Sequence, residues 1–172
     1  DAMRLDRRGA IPAYDRGNAQ RLLCRWPAAL SDYNEAILRG MAGAPAWTNR
    51  AGVLRELGRP AEALEALTRA AQAEPDLALP RYARAHLRLE LGEAAQAETA
   101  ARAALAADPE LAHAYVLVGN ARLRQRDEAG ARAAYAEALE VEPEHASAQA
   151  NLAALCWRAG EVSGAAQPGR AW

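Results

Sequence analysis

The apolar positions of this chain fall into short helical stripes broken at regular intervals. From Ala44 to Leu77, small and apolar residues at Trp47, Ala51, Leu54 and Leu57 follow the spacing of one helix face. Gly58 then suits a left-handed C-terminal cap, and Pro60 suits the first turn of a new helix. A second stripe runs through Ala63, Leu64, Leu67, Ala70 and Ala71. Pro75 removes an amide donor and pushes Glu74 away from helical dihedrals, so the second helix ends there. The Asp76 carboxylate lies near the start of the next helix, where the dipole favours negative charge. The stretch predicts two helices joined by a tight turn.

The same pattern returns every 34 residues. Pro75, Pro109 and Pro143 are in register within "EPD", "DPE" and "EPE". Two alanine series, Ala36, Ala70, Ala104, Ala138 and Ala29, Ala63, Ala97, Ala131, keep the period. A third series of small residues runs through Gly17, Ala51, Ala85, Gly119 and Ala153. Bulky residues agree as well: Trp47 with Tyr115, and Tyr33 with Leu67 and Tyr135. Gly58, Gly92 and Gly160 are also in phase. A fixed period in this range marks a repeat array, in which stacked units bury a continuous core. Small residues at helix crossings let the axes approach, and a bulky partner such as Tyr33 fills the space beside them. A coiled coil is excluded because Gly and Pro break the apolar pattern every half-unit.

Composition sharpens this picture. Ala supplies 47 of the 172 residues and Phe is absent, which favours helices over strands. The net charge of −1 lacks the basic surplus of a nucleic-acid-binding domain. No apolar run is long enough to span a membrane. The opening "DAMRLDRRGA" has no apolar centre and is not read as a secretion signal. Cys24 and Cys156 lie far apart and are expected as unpaired thiols in a reducing, cytoplasmic setting. His86, His113 and His145 show no metal-ligand spacing, so neither a metal nor another cofactor is expected. No phosphate loop or nucleophile–base pattern appears, and no enzyme activity is predicted within the chain.

The unit Ala112–His145 carries Tyr115, Gly119, the Ala131–Tyr135 step, Ala138 and Pro143. The unit Ala44–Leu77 carries Trp47, Ala63, Leu67, Ala70 and Pro75. The unit Ala10–Gly43 has Gly17, Ala29, Tyr33 and Ala36, with Met41 in place of the proline. The unit Ala78–Leu111 is looser, with Arg81 at the aromatic position and Ala101 at the bulky one. This arrangement resembles the tetratricopeptide repeat family. The resemblance implies an all-α, right-handed superhelical solenoid of antiparallel helix–turn–helix repeats. Full repeats are expected at 10–43, 44–77, 78–111 and 112–145, after the tail of a preceding repeat at 1–9. A partial or capping repeat follows at 146–160 and an irregular tail at 161–172, where Gly164, Pro168 and Gly169 oppose another helix. The incomplete first hairpin implies a chain cut from a longer protein or one that has lost its N-terminal part, and the Ala- and Arg-rich composition fits a GC-rich, bacterial genome.

The family lines its concave groove with the first helix of each hairpin. Carried over, this gives a candidate surface of Tyr14, Asn18 and Arg21, then Thr48, Asn49, Arg55 and Glu56. It continues with Tyr82, His86 and Glu90, then His113, Asn120 and Arg124, and ends at Asn151, Trp157 and Arg158. Asn18, Asn49, Asn120 and Asn151 either hold a peptide backbone or pack locally; an amide both donates and accepts. Tyr14 and Tyr82 either anchor a partner or fill space between hairpins, and His86 reads as a solvated groove residue. Some relatives clamp a C-terminal carboxylate with basic residues beside paired Asn, but Leu79 and Ala83 occupy those basic positions here. The expected function is a scaffold that takes a peptide or helix of a partner protein, acidic or of mixed charge. The alternatives are the substrate-recognition arm of a larger enzyme, such as a glycosyltransferase or sulfotransferase, and self-assembly.

Overall fold

Helices form where the sequence places its apolar stripes. The computed structural model describes residues 7–158 and Gly160. Its elements are α1 (Arg7–Leu22), α2 (Trp26–Leu38), α3 (Ala44–Glu56), α4 (Pro60–Ala73), α5 (Ala78–Glu90), α6 (Ala94–Ala107), α7 (Ala112–Arg124), α8 (Glu128–Val141) and α9 (Ala146–Arg158). No strand occurs among the described residues. α1 takes in residues 7–9, which the repeat register alone assigns to a preceding unit. Residues 1–6 and the tail at 161–172 lie outside the described residues.

One backbone device closes the first turn of every hairpin. Cys24, Gly58, Gly92, Arg126 and Gly160 stand 34 residues apart, and all have positive φ, from 55° to 81°. The amide after each of the first four reaches back five residues, as in Arg59 N–H to Leu54 C=O and Asp127 N–H to Arg122 C=O, both 2.9 Å. This bond satisfies an orphan carbonyl at the helix end. Glycine adopts the left-handed conformation freely, whereas Cys24 and Arg126 adopt it at a cost. In the three hairpins after the first, the second helix ends at the residue before proline, whereas α2 ends at Leu38 ahead of Gly40, which has φ 100°. Glu74, Asp108 and Glu142 leave α4, α6 and α8 with φ near extended values of −136°, −143° and −134°.

Side-chain size is matched across the hairpins. Tyr33 and Tyr135 are wholly buried. A Cβ added to Gly17 would lie 2.9 Å from the Tyr33 ring, and one added to Gly119 would lie 2.4 Å from the Tyr135 ring. Where the bulky residue shrinks to Leu67, Ala51 takes the glycine's place, and Ala85 takes it where the bulky residue is Ala101. The buried face of α6 is alanine alone: Ala97, Ala100, Ala101 and Ala104.

Each hairpin packs on the next through its second helix, α2 on α3, α4 on α5, α6 on α7 and α8 on α9. The odd-numbered helices also touch in sequence, α1 with α3, α3 with α5 and α5 with α7, whereas the even-numbered ones make no comparable contact. The stack therefore curves with the odd helices on its inner side. It is an all-α solenoid. No helix among the described residues is long and apolar enough to cross a membrane.

Candidate functional site

The inner face is organised by two copies of one polar network. At the first, Tyr33 Oη donates to Asn18 Oδ1 at 2.8 Å, and Asn49 Nδ2 donates to the same oxygen at 3.1 Å. At the second, Tyr135 Oη donates to Asn120 Oδ1 at 2.7 Å, and Asn151 Nδ2 donates to that oxygen at 3.1 Å. Each residue of the second network lies 102 positions, three periods, after its counterpart. Tyr14 extends the first copy by accepting a bond from Asn49 Nδ2 at 2.9 Å, with its ring 5.8 Å from that of Tyr33. Burial raises the pKa of both Tyr33 and Tyr135, since a phenolate would lose its hydration there. Arg21 beside Tyr33 and Arg158 near Tyr135 oppose that rise.

The asparagines take the local packing role weighed from sequence. Their Asn18 and Asn120 oxygens lock a tyrosine and a neighbouring hairpin together. Asn18 Nδ2 and Asn49 Oδ1 have no partner among the described residues, and the same holds for Asn120 Nδ2 and Asn151 Oδ1.

Between the two networks the register loses all three members. Gly52 stands for Asn18, Ala83 for Asn49 and Leu67 for Tyr33. A pocket of about 340 Å³ opens there, lined by Thr48, Ala51, Gly52, Arg55, Leu67, Leu79, Tyr82, Ala83, His86 and Leu87. A Cβ added to Gly52 would meet nothing within 4 Å. Thr48 Oγ1 at this wall is buried and makes no hydrogen bond. Leu79 is half-exposed at the mouth.

Charges around the pocket are already matched. Arg55 contacts Glu56 at 2.8 Å and Glu90 at 3.7 Å, and His86 Nδ1 lies 3.2 Å from Glu90. Arg124 donates to the Leu89 carbonyl near the end of α5, so it braces neighbouring hairpins. Arg158 lies 3.6 Å from Glu128, and Arg21 is exposed. Trp157 is exposed on α9.

The structure also brings together histidines that the sequence left apart. His113 and His145 meet edge to face at 4.5 Å, and ligand atoms of His113, Glu142 and His145 lie within 4.8 Å of one another. Tyr82 meets His113 edge-on at 6.4 Å. Spacing along the chain missed this because stacking juxtaposes residues about one period apart. The Ala148 amide donates to the His145 carbonyl at 3.0 Å and lies 3.4 Å from its Nδ1, and the buried His145 Nε2 has no hydrogen-bond partner among the described residues. The two thiols, Cys24 and Cys156, are unpaired.

A family model described as tetratricopeptide repeat matches residues 82–140 and 119–172, and a second of the same description matches 44–77. The chain belongs to the tetratricopeptide repeat family. No curated protein matches the sequence. Solved tetratricopeptide structures share the fold. MamA (41-end) from Desulfovibrio magneticus RS-1 superposes with a TM-score of 0.78 at 18% identity, over 90% of this chain and 88% of that one. YrrB, described as a TPR protein with an unusual peptide-binding site, superposes with a TM-score of 0.72 at 22% identity, over 83% and 73%. The first TPR of Spaghetti (RPAP3), bound to the HSP90 peptide SRMEEVD, superposes with a TM-score of 0.63 at 24% identity, over 68% and 93%.

The pocket residues Gly52, Leu67, Leu79, Ala83 and Leu87 were absent from the polar candidate surface. The signal that finds them is an interruption: the columns that read Asn, Asn and Tyr at both ends read Gly, Ala and Leu at the pocket and His86, Leu117 and Ala101 one period later.

Proposed function

We propose that this chain is a non-enzymatic interaction module that holds an extended peptide of a partner protein along its inner face. The observation that carries this reading is the pair of asparagine networks. Each fixes its side chains rigidly yet leaves an amide donor and an amide acceptor open on adjacent helices. A peptide group needs one of each, so the networks suit main-chain recognition that does not depend on side-chain identity. Binding of peptides by YrrB and by the first TPR of RPAP3 fits the same use of this fold. The ligand has mixed charge rather than strong acidity, since Arg55, Arg124 and Arg158 already hold partners.

The test is selection of short peptides from a random displayed library on the folded chain, followed by light scattering of the complex. The reading expects one peptide per monomeric chain. A mass that rises with protein concentration and excludes the peptide would instead make the inner face a self-assembly surface.

A further inference from the structure

Resting on that reading, we infer that the gap in the asparagine–tyrosine series is an anchor pocket. It takes one bulky apolar side chain, of leucine, methionine or phenylalanine size, from an internal segment of the bound peptide.

The floor and walls are apolar: Ala51, Leu67, Leu79, Ala83 and Leu87, with Tyr82 at one side. Three side chains that fill the equivalent space at either end of the array are each replaced by a smaller or shorter one. The opening is a property of this chain's sequence, because the two end units carry Asn, Asn and Tyr at these positions. Its volume of about 340 Å³ lies at the lower end of the range of ligand sites and admits a large apolar side chain with room beside it for the peptide main chain.

The rim decides what kind of peptide enters. A free C-terminal carboxylate needs an uncommitted cation, and none lines this pocket among the described residues. Arg55 is held by Glu56 and Glu90, and His86 by Glu90. A buried carboxylate without a fresh partner would be costly, whereas an apolar group displaces only poorly held water. Asn49 lies one turn before Gly52 on α3, so its open Oδ1 can receive a peptide amide next to the anchor. The apolar anchor and the main-chain contacts thus belong to one extended segment running through the pocket.

Peptides selected on the wild-type chain, made with free and with amidated C-termini, give the readout by fluorescence anisotropy. The comparison uses Gly52→Leu, which places a bulky side chain in the pocket. A Cβ at position 52 meets nothing within 4 Å, and a thermal melt verifies that Gly52→Leu folds. The expected result is a recurring bulky apolar residue in the selected peptides. Replacing it by alanine, or filling the pocket with Gly52→Leu, should each weaken binding by roughly 10- to 100-fold. The two losses should not add, and amidation should change little. The inference is overturned if the selected peptides share no apolar residue, if Gly52→Leu binds at wild-type strength, or if amidation abolishes binding. In the second case, retained binding along the inner face would leave the interaction reading standing and remove only the pocket. A library that yields no binder would overturn both.

Discussion

Tyr135 donates its hydroxyl to Asn120 Oδ1 at 2.7 Å from a wholly buried ring, and Asn151 shares the same acceptor. One oxygen therefore joins the two helices of a hairpin to the helix that follows. Tyr135→Phe removes the donor without changing the packing. The expected cost is about 1 kcal/mol, from the lost bond and the part-buried oxygen left short of a partner. A double-mutant cycle of Tyr135→Phe with Asn120→Ala, read by urea unfolding, should show coupling between the two. Simple additivity would mean that the bond contributes nothing to the fold.

Two glycines on the inner helices should respond to alanine with opposite signs. At Gly119 the new Cβ would meet the Tyr135 ring at 2.4 Å, and the ring has no free space to move into. Overpacking of this kind costs about 1–3 kcal/mol. At Gly52 nothing lies in the way, and the better helix propensity of alanine should add about 0.5–1 kcal/mol. Thermal unfolding of the two variants measures both signs in one experiment.

Arg126 holds φ at 64° in the column where Gly58, Gly92 and Gly160 sit. Arg126→Gly relieves the left-handed strain, and part of the gain is offset by the greater freedom of glycine in the unfolded chain. The expected net effect is a gain of about 0.5–1 kcal/mol, seen as a higher melting temperature. A loss would show that the Arg126 side chain makes contacts worth more than the strain.

Glu98 on α6 is the ionic tie to α7. Burial alone would raise its pKa, but bonds from Gln125, Arg122 and Arg102 outweigh burial and hold it below the ordinary glutamate range. A depressed folded-state pKa stabilises above the unfolded value and is lost as pH falls through the folded one. The wild type should exceed Glu98→Gln in stability by about 1–2 kcal/mol near neutral pH. That margin should hold down to about pH 4.3 and then shrink with further acidification. Denaturant unfolding across this range checks it; a margin independent of pH would assign the effect to shape rather than charge.

The architecture was legible because it rests on backbone rules that repeat. Pro75, Pro109 and Pro143 ended helices, and Gly58, Gly92 and Gly160 turned the chain, each for a local reason visible in one residue. Cys24 and Arg126 were not legible as members of the glycine column, since nothing in an L-residue announces positive φ. The site was half legible. The asparagines were singled out by type, but their bond to a buried tyrosine depends on how far a second helix tilts toward the first. The pocket is a region that side chains fail to fill, and an absence shows only when the filled versions at both ends are known. The meeting of His113 with His145 was hidden for a similar reason, because stacking rather than spacing brings them together.

The most direct test of the central claim is amide chemical-shift mapping of the ¹⁵N-labelled chain titrated with a selected peptide. Perturbations are expected on the inner helices, strongest from Thr48 to Arg55 on α3 and from Leu79 to His86 on α5, with the Asn18 and Asn49 side-chain amides shifting as well. Perturbations confined to α2, α4, α6 and α8 would contradict the claim, because the partner would then bind the outer face.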